Sequence, residues 1–250
     1  MFLLKKKKRH IFIDINNGFT YNFLVKKLAG KNMEKKSIIA FDFDGTLVDS
    51  SRLVSQSLIN TVHEYGHDEI NEEKLEEYFG PTESGILRNI VGAKLFPEAW
   101  AFFIEEYIRI QDECQLRIEG MDELLDELSN RKDILLLLVT GRSLPTAEIS
   151  LSHLGYDKYF AKIYTGSEEG INKDENMESI LESYGADKKS ILYIGDTLAD
   201  VETMKSIDVD ILSATYCQKS KEKISEIENE NPGNICHSIL ELKEKLLSLI

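Results

Sequence analysis

The 250-residue sequence has few cysteines, and their spacing suits neither a disulfide framework nor a metal site. Cys114, Cys217 and Cys236 lie far apart and form no CxxC pair. An odd number of scattered cysteines argues against a disulfide scaffold and against a cysteine-based zinc site. A reducing cytoplasm is therefore the expected location.

Long apolar runs are also missing. The nearest candidate, residues 134–139, is far too short to cross a bilayer, and a membrane protein is not expected. The first ten residues carry the positive charge of a signal peptide, but Asp14, Asn16 and Asn17 interrupt the apolar region that should follow. We expect residues 1–32 to form a poorly ordered extension, or Met33 to be the physiological start.

Positive charge is scarce, with 30 Lys and Arg against 44 Asp and Glu, a formal net charge of −14 and an isoelectric point near 4.9. Nucleic acids and anionic membranes would be repelled by most of such a surface, so neither is an expected partner. An acidic protein that binds phosphates must gather its positive charge locally, through a metal cation and a few Lys or Arg side chains.

Residues 37–50 read SIIAFDFDGTLVDS, in which a short apolar strand ends on Asp42 and Asp44. Side chains alternate along a strand, so these two carboxylates leave the backbone in the same general direction. Such a pair binds a divalent cation or shares its proton unequally. Gly45 permits a sharp turn whose N–H groups can hold an anion. The stretch indicates phosphoryl chemistry, although the same pattern also occurs in plain turns and helix caps.

The spacing of apolar residues changes along the chain. Residues 51–117 show helical spacing without a convincing strand, whereas strands and helices alternate from Gly120 onward. The predicted strands are residues 38–41, 134–139, 160–164, 190–194 and 209–213. This order predicts an α/β fold, a Rossmann-like parallel sheet covered by helices. Residues 33–50 and 118–250 would form the α/β core, and residues 51–117 an inserted helical cap over the site.

Two later strands also end on polar residues. The strand at 134–139 runs into Thr140-Gly141-Arg142-Ser143, where a hydroxyl and backbone N–H groups can bind phosphate, or merely form a turn. The strand at 190–194 runs into Gly195-Asp196-Thr197, and a helix that begins near Thr197 would carry Asp200 back toward Asp196. Asp200 also suits a helix N-terminus for electrostatic reasons alone.

Lys173 precedes a predicted helix, where a lysine is usually solvated. Several carboxylates and a phosphate in one place nevertheless require a cation beyond a single metal ion. Taken together and in this order, DFDGTLVDS, VTGRS, Lys173 and GDTLAD resemble the haloacid dehalogenase superfamily, specifically its phosphatase branch with a small helical cap. The resemblance covers residues 37 to about 215.

The resemblance implies a role for each matching residue. Asp42 would be the nucleophile that forms an aspartyl-phosphate, and Asp44 the general acid and then the base. Thr140 would hold the phosphoryl group, and Lys173 would steady the nucleophile. The implied phosphate contacts are Gly45, Thr46, Gly141 and Arg142. The implied Mg²⁺ ligands are Asp42, the carbonyl of Asp44, Asp196 and Asp200. The chain departs from the family in having Asp174 after the lysine, where Pro is common, and Gly141 where Asn is common.

The resemblance implies a Mg²⁺-dependent phosphatase acting on a small phosphorylated metabolite, similar to phosphoglycolate phosphatases. Dehalogenases of the superfamily lack the second acid, so the presence of Asp44 favours ester hydrolysis. Phosphomutase activity is an alternative, although His63 and His67 show no matching cap arrangement. A non-catalytic regulator that binds phosphate on the same fold is a second alternative. The sequence is compatible with either a monomer or a homodimer.

The cap sequence offers one further prediction, about specificity. Arg52, Arg88 and Lys94 are expected to lie on solvated helix faces, as such residues usually do. The turn formed by residues 80–83, Gly-Pro-Thr-Glu, is the expected specificity loop.

Overall fold

A computed structural model describes residues 36–250, and within this range six strands form one parallel sheet. The sheet order is β3-β2-β1-β4-β5-β6. The strands are β1 (Ile38–Phe41), β2 (Leu135–Val139), β3 (Lys162–Tyr164), β4 (Ile191–Gly195), β5 (Asp210–Ala214) and β6 (Ile235–Cys236). The predicted α/β fold is confirmed.

Nine helices accompany the sheet in the described residues. They are α1 (Ser51–Glu64), α2 (Glu72–Glu76), α3 (Glu83–Gln111), α4 (Met121–Ser129), α5 (Leu144–Leu154), α6 (Lys173–Tyr184), α7 (Leu198–Ser206), α8 (Lys221–Glu230) and α9 (Ile239–Leu249). None of these helices is long and apolar enough to cross a membrane.

Strand β1 lies at the centre of the sheet and is buried on both faces. It pairs with β2 and β4, and its last residue, Phe41, lies level with Leu138 and Ile194. Ile39 and Phe41 pack into the hydrophobic cluster on one face, while Ile38 and Ala40 pack into the cluster on the other. A parallel sheet covered on both faces requires such continuous apolar strands, which is why β1, β2 and β4 are apolar throughout.

Several elements differ from the sequence-based prediction, and β2, β4 and β5 each begin one residue later than expected. Strand β6 was not predicted, because two residues are too few to show a periodic pattern. Strand β3 begins two residues later than expected, at Lys162. Pro97 suits the first turn of a helix and predicts the start of a new one there. This start is wrong, since the helical path breaks at Gly92, with φ 78° and ψ 158°, and Pro97 lies inside α3. Glycine adopts positive φ without steric cost, so the break falls there.

Helices α1 to α3 lie between β1 and β2 in the chain and touch the core through both ends of α3. At its start, the buried Glu83 carboxylate accepts hydrogen bonds from Ser143 N and Thr146 Oγ1, each 2.8 Å long. Toward its end, the Tyr107 hydroxyl lies 2.7 Å from Ser150 Oγ on α5. The boundaries of the cap at 51 and 117 stay predictions, and the proposed extension at residues 1–32 lies outside the described residues.

The fold brings the predicted site residues to one edge of the sheet. Parallel strands β1, β2 and β4 present their carboxyl ends together, and Asp42, Thr140 and Asp196 follow these ends directly. Ligands of open α/β sheets bind in this region. The sequence therefore places its polar motifs around one volume.

The buried sheet predicts the outcome of a core substitution. Leu138 in β2 has no solvent exposure, so Leu138→Ala should lower the free energy of unfolding by about 2–5 kcal/mol through lost burial and cavity formation. Leu240→Ala is the control, because Leu240 is 65% exposed. Urea unfolding followed by circular dichroism measures both, and an equal loss in the two variants would contradict the described core.

Candidate active site

Three buried carboxylates, those of Asp42, Asp196 and Asp200, form a cluster beyond the carboxyl ends of β1 and β4. One oxygen of each lies within 4.8 Å of the others. Asp200 belongs to the first turn of α7, where Thr197 forms a capping box with it. Thr197 N donates to Asp200 Oδ2 over 3.1 Å, and Asp200 N donates to Thr197 Oγ1 over 3.1 Å. The helix start therefore turns Asp200 back toward Asp196, as its spacing indicates.

The ammonium group of Lys173, at the start of α6, lies between two of these acids. Its Nζ donates to Asp42 Oδ2 over 2.7 Å and to Asp200 Oδ1 over 2.6 Å. Burial disfavours the charge on Lys173, but the two carboxylates more than offset it and raise its pKa well above the ordinary value. Lys173 is therefore charged and fixed in the cluster.

The cluster holds more negative charge than one ammonium group can balance. Burial raises the pKa of Asp42 to about 7, although Lys173 acts in the opposite direction. Burial, with the neighbouring Asp42 and Asp200 carboxylates, also raises the pKa of Asp196 well above its usual value. Burial opposes ionisation of Asp200 as well, but Lys173 and Thr197 hold its pKa below the ordinary value.

This excess charge suits a hard divalent cation. Mg²⁺ prefers oxygen ligands, carboxylates among them, and the cluster offers three carboxylates. Gly45 allows its loop to approach the cluster closely, because a Cβ atom at this position would lie 2.2 Å from Asp196 Oδ2. Crowded carboxylates with raised pKa values and a close-fitting loop are therefore compatible with a bound Mg²⁺ ion.

Asp44 lies apart from this cluster and pairs with Arg142. Arg142 Nε lies 2.8 Å from Asp44 Oδ2, and Ser50 Oγ donates to Asp44 Oδ1. Burial would raise the pKa of Asp44, but the guanidinium charge and its hydrogen bonds lower it below the ordinary value. The Asp44 side chain remains 41% exposed toward solvent, whereas that of Arg142 is only 3% exposed.

The structure gives Arg142 partners other than the predicted phosphate. Besides Asp44, its guanidinium donates to the Tyr107 hydroxyl and, over 3.3 Å, to Ser150 Oγ. A buried guanidinium needs a counter-charge and acceptors, and Asp44 and these hydroxyls supply them. These partners occupy the Arg142 guanidinium in this structure, and its direct contact with phosphate stays a prediction.

The two threonines predicted to act at the site are both fully buried. Thr140 Oγ1 accepts a hydrogen bond from Arg142 N over 3.2 Å, within the predicted phosphate loop. Gly45 has φ 72°, which turns the chain inward, and Thr46 lies inside the protein with its carbonyl accepting from Tyr216. Thr46 does not line the cavity above the acids, and its phosphate contact stays a prediction.

A cavity of about 740 Å³ lies over the acids. The core residues predicted for the site that line it are Asp42, Asp44, Gly45, Gly141, Arg142, Lys173, Asp196 and Asp200. The predicted specificity turn also reaches the cavity through Gly80, Pro81 and Glu83. Arg88 instead pairs with Glu168 over 3.0 Å in a solvent-exposed ion pair, which agrees with its expected position on a solvated face.

Two residues that hold the acids were not singled out in the sequence. Gln218 Nε2 donates to Asp196 Oδ2 over 3.1 Å, and the Tyr193 hydroxyl donates to Asp200 Oδ1 over 3.2 Å. Gln218 follows β5, so its place after a strand of the same sheet was a usable signal. Tyr193 lies within an apolar strand and gave none.

Comparison with known proteins places this site in a family. The family model described as haloacid dehalogenase-like hydrolase matches residues 39–214. The chain belongs to the haloacid dehalogenase-like hydrolases. This match runs from the second residue of β1 to the end of β5 and includes every acid of the cluster and Lys173.

Two relatives of this chain carry the names of enzymes that hydrolyse phosphate esters. A 5'-nucleotidase of Pseudomonas aeruginosa is 27% identical over 84% of this chain and 95% of its own length. A phosphoglycolate phosphatase of Aquifex aeolicus is 26% identical over 67% of this chain and 79% of its own length. The chain is accordingly a hydrolase that acts on phosphate monoesters.

A solved structure supports the same assignment. A haloacid dehalogenase-like family protein of Streptococcus pneumoniae superposes with a TM-score of 0.65 and 25% identity. The superposition covers 84% of this chain and 98% of that chain. The sheet and the inserted helices therefore follow an arrangement already known in haloacid dehalogenase-like hydrolases.

The raised pKa values predict how metal binding depends on pH. Between the ordinary pKa of 3.8 and about 7, the folded protein holds an Asp42 proton that the unfolded chain has released. The contribution of Asp42 to the stability of the metal-free protein is therefore fully present below this window and declines as pH rises through it. Since Mg²⁺ requires ionised ligands, it should raise the unfolding temperature more at about pH 8 than at about pH 5.

Thermal unfolding with and without millimolar Mg²⁺ measures this difference. In Asp196→Asn, Mg²⁺ should raise the unfolding temperature much less than in the wild type. The control is Asp68→Asn, because Asp68 is exposed and does not belong to the cluster of Asp42, Asp196 and Asp200. A wild-type shift that is the same at both pH values, or absent at both, would contradict the metal assignment.

Proposed function

We propose that this chain is a Mg²⁺-dependent phosphatase that hydrolyses a small phosphorylated metabolite through an aspartyl-phosphate on Asp42. One observation carries the proposal. The Asp42 carboxylate accepts a hydrogen bond from Lys173, and one of its oxygens lies within 4.8 Å of oxygens of Asp196 and Asp200, where all four residues line a cavity. A carboxylate that must attack a phosphate dianion needs this concentration of compensating positive charge.

Both oxygens of the proposed nucleophile are held in place. Asp42 Oδ1 accepts a hydrogen bond from Phe43 N over 2.7 Å, while Oδ2 accepts from Lys173. These contacts fix the orientation of the carboxylate before substrate arrives, which lowers the entropic cost of attack. Lys173 also reduces the repulsion between Asp42 and the incoming phosphoryl oxygens.

The reaction then divides into two displacements. In the first, an Asp42 oxygen bonds to phosphorus, the bond to the leaving oxygen breaks, and Asp44 gives its proton to that oxygen. In the second, water attacks phosphorus, its proton passes to Asp44, and Asp42 is released with inorganic phosphate. Because the Arg142 guanidinium lowers the pKa of Asp44, the contact between them must loosen before Asp44 can carry the first proton.

The metal site would be formed by Asp42, the main-chain carbonyl of Asp44, Asp196 and Asp200. A bound Mg²⁺ ion supplies positive charge that offsets the phosphoryl oxygens. The N–H groups of Gly45 and Gly141, whose residues line the cavity, and Thr140 are proposed to hold the phosphoryl group. Residues 51–117 are proposed to act as a cap over this site, with residues 33–50 and 118–250 as the core.

The identity of the metabolite is a separate part of the proposal. The related proteins named above act on different substrates, one being a 5'-nucleotidase and the other a phosphoglycolate phosphatase. Both names describe enzymes that act on a small phosphorylated metabolite. The shape of the cavity at the cap is proposed to determine which metabolite of this class binds.

Phosphate release from p-nitrophenyl phosphate tests the proposed nucleophile. Asp42→Asn should lower the Mg²⁺-dependent rate by at least about a thousandfold, or about 4 kcal/mol, because an amide cannot form the phosphoenzyme. Asp68→Asn, an exposed change outside the cavity lining, is the matched control and should keep the wild-type rate.

Three other outcomes would replace the proposal. Absence of turnover on a broad panel of phosphate esters would favour a non-catalytic phosphate-binding regulator. Halide release from haloacids would favour a dehalogenase, and intramolecular phosphate transfer without release would favour a phosphomutase.

A further inference from the structure

The wall that the inserted helices present to the cavity is largely apolar. Val54, Phe79, Pro81 and Ile86 contribute to it, and Ile171 joins them from the segment before α6. Phe79 is 49% exposed and Ile171 is 62% exposed, although both are large apolar side chains. Exposed apolar groups that converge on a cavity mark a surface that binds an apolar ligand.

The charged residues on this wall are acidic. Within residues 51–117, all of which the structure describes, no Lys or Arg lines the cavity, whereas Glu76 and Glu83 do. Asp49, immediately before α1, also lines it and is exposed. A leaving group with its own carboxylate or second phosphate would therefore find no cation on this wall.

Cations elsewhere in the cavity do not change this conclusion. Arg142 and Lys173 already pair with Asp44, Asp42 and Asp200. Lys219 and Lys223 reach the cavity from the segment after β5 and from α8, on the core side, and both are exposed. Solvent and salt screen these lysines and the exposed Glu76 and Asp49 alike, so the preference depends on the wall of the inserted helices, which offers a leaving group no cation.

The cavity has room for a ring. Its volume of about 740 Å³ lies within the range of pockets that enclose whole organic ligands and exceeds what a phosphoryl group and a two-carbon chain need. Aromatic side chains bind flat rings by stacking, and the exposed side chain of Phe79 is available for this contact.

We propose that the substrate is a phosphate monoester whose leaving group is an uncharged, ring-bearing alcohol, such as a nucleoside, with its ring against Phe79. This inference rests on the proposed phosphatase function and narrows its substrate class. Small esters that carry a carboxylate or a second phosphate are therefore not expected to be preferred substrates.

Two benzyl phosphates that differ only in a para substituent test the charge preference. One carries a carboxamide and the other a carboxylate, and the methylene group separates either substituent from the leaving oxygen. With the full chain and Mg²⁺, kcat/KM for the carboxamide should exceed that for the carboxylate by about tenfold or more, because the wall offers the carboxylate no partner. Glu76→Gln should lower this ratio of kcat/KM values toward one. The control Glu77→Gln should leave the ratio unchanged, because Glu77 is exposed and does not line the cavity.

A second substitution tests the ring contact. Phe79→Ala should lower kcat/KM for both benzyl phosphates by about tenfold, mainly through KM, and should lower kcat/KM for the small ester glycerol 2-phosphate, which has no ring, much less. Ile108→Ala is the matched control, because Ile108 is similarly exposed at 46% but does not line the cavity.

The outcomes separate this inference from the proposed function. Phosphate release with equal or better use of the carboxylate ester would overturn the inference and indicate an anion site at Lys219 and Lys223. An unchanged kcat/KM for the ring esters in Phe79→Ala would overturn the stacking contact. Absence of release from every ester, including p-nitrophenyl phosphate, would overturn the phosphatase function itself and the inference with it.

Discussion

The contact of the Lys173 ammonium group with the carboxylates of Asp42 and Asp200 is the interaction on which the rest of the site depends. These groups come from α6, the end of β1 and the first turn of α7, so the contact forms only when the sheet has closed around β1. Removing one partner of such a buried pair typically costs about 3–5 kcal/mol, because the remaining charge is left uncompensated. The same contact allows several acids to share one small volume, and that volume is where phosphoryl chemistry is proposed.

A second buried ion pair joins the site to the inserted helices. Arg142 holds Asp44 and also contacts Tyr107, which lies near the end of α3 and touches Ser150 on α5. The proposed acid is therefore connected through one guanidinium to the helix that forms part of the cavity wall. Glu83, at the other end of α3, makes a further connection to α5, so the wall that meets the leaving group is anchored on the core.

The sequence predicted the part of the site that follows from local rules. Asp42 and Asp196 follow apolar strands, and parallel strands must bring such ends together. Asp200 follows from the helix start at Thr197. Lys173 was found through the family resemblance and the need for positive charge. The partners of Arg142 could not be predicted, because Asp44 lies 98 residues away in the chain and Tyr107 lies 35 residues away, and only tertiary packing brings them together.

The most direct test of the central claim is to find the covalent intermediate. Turnover of a phosphate ester with Mg²⁺ would be quenched in acid, the protein treated with borohydride, and its peptides examined by mass spectrometry. Reduction of an aspartyl-phosphate gives homoserine, and the account predicts this change at residue 42 and at no other aspartate. Homoserine at a different aspartate, or continued turnover with residue 42 unmodified under conditions that trap the intermediate, would contradict the account.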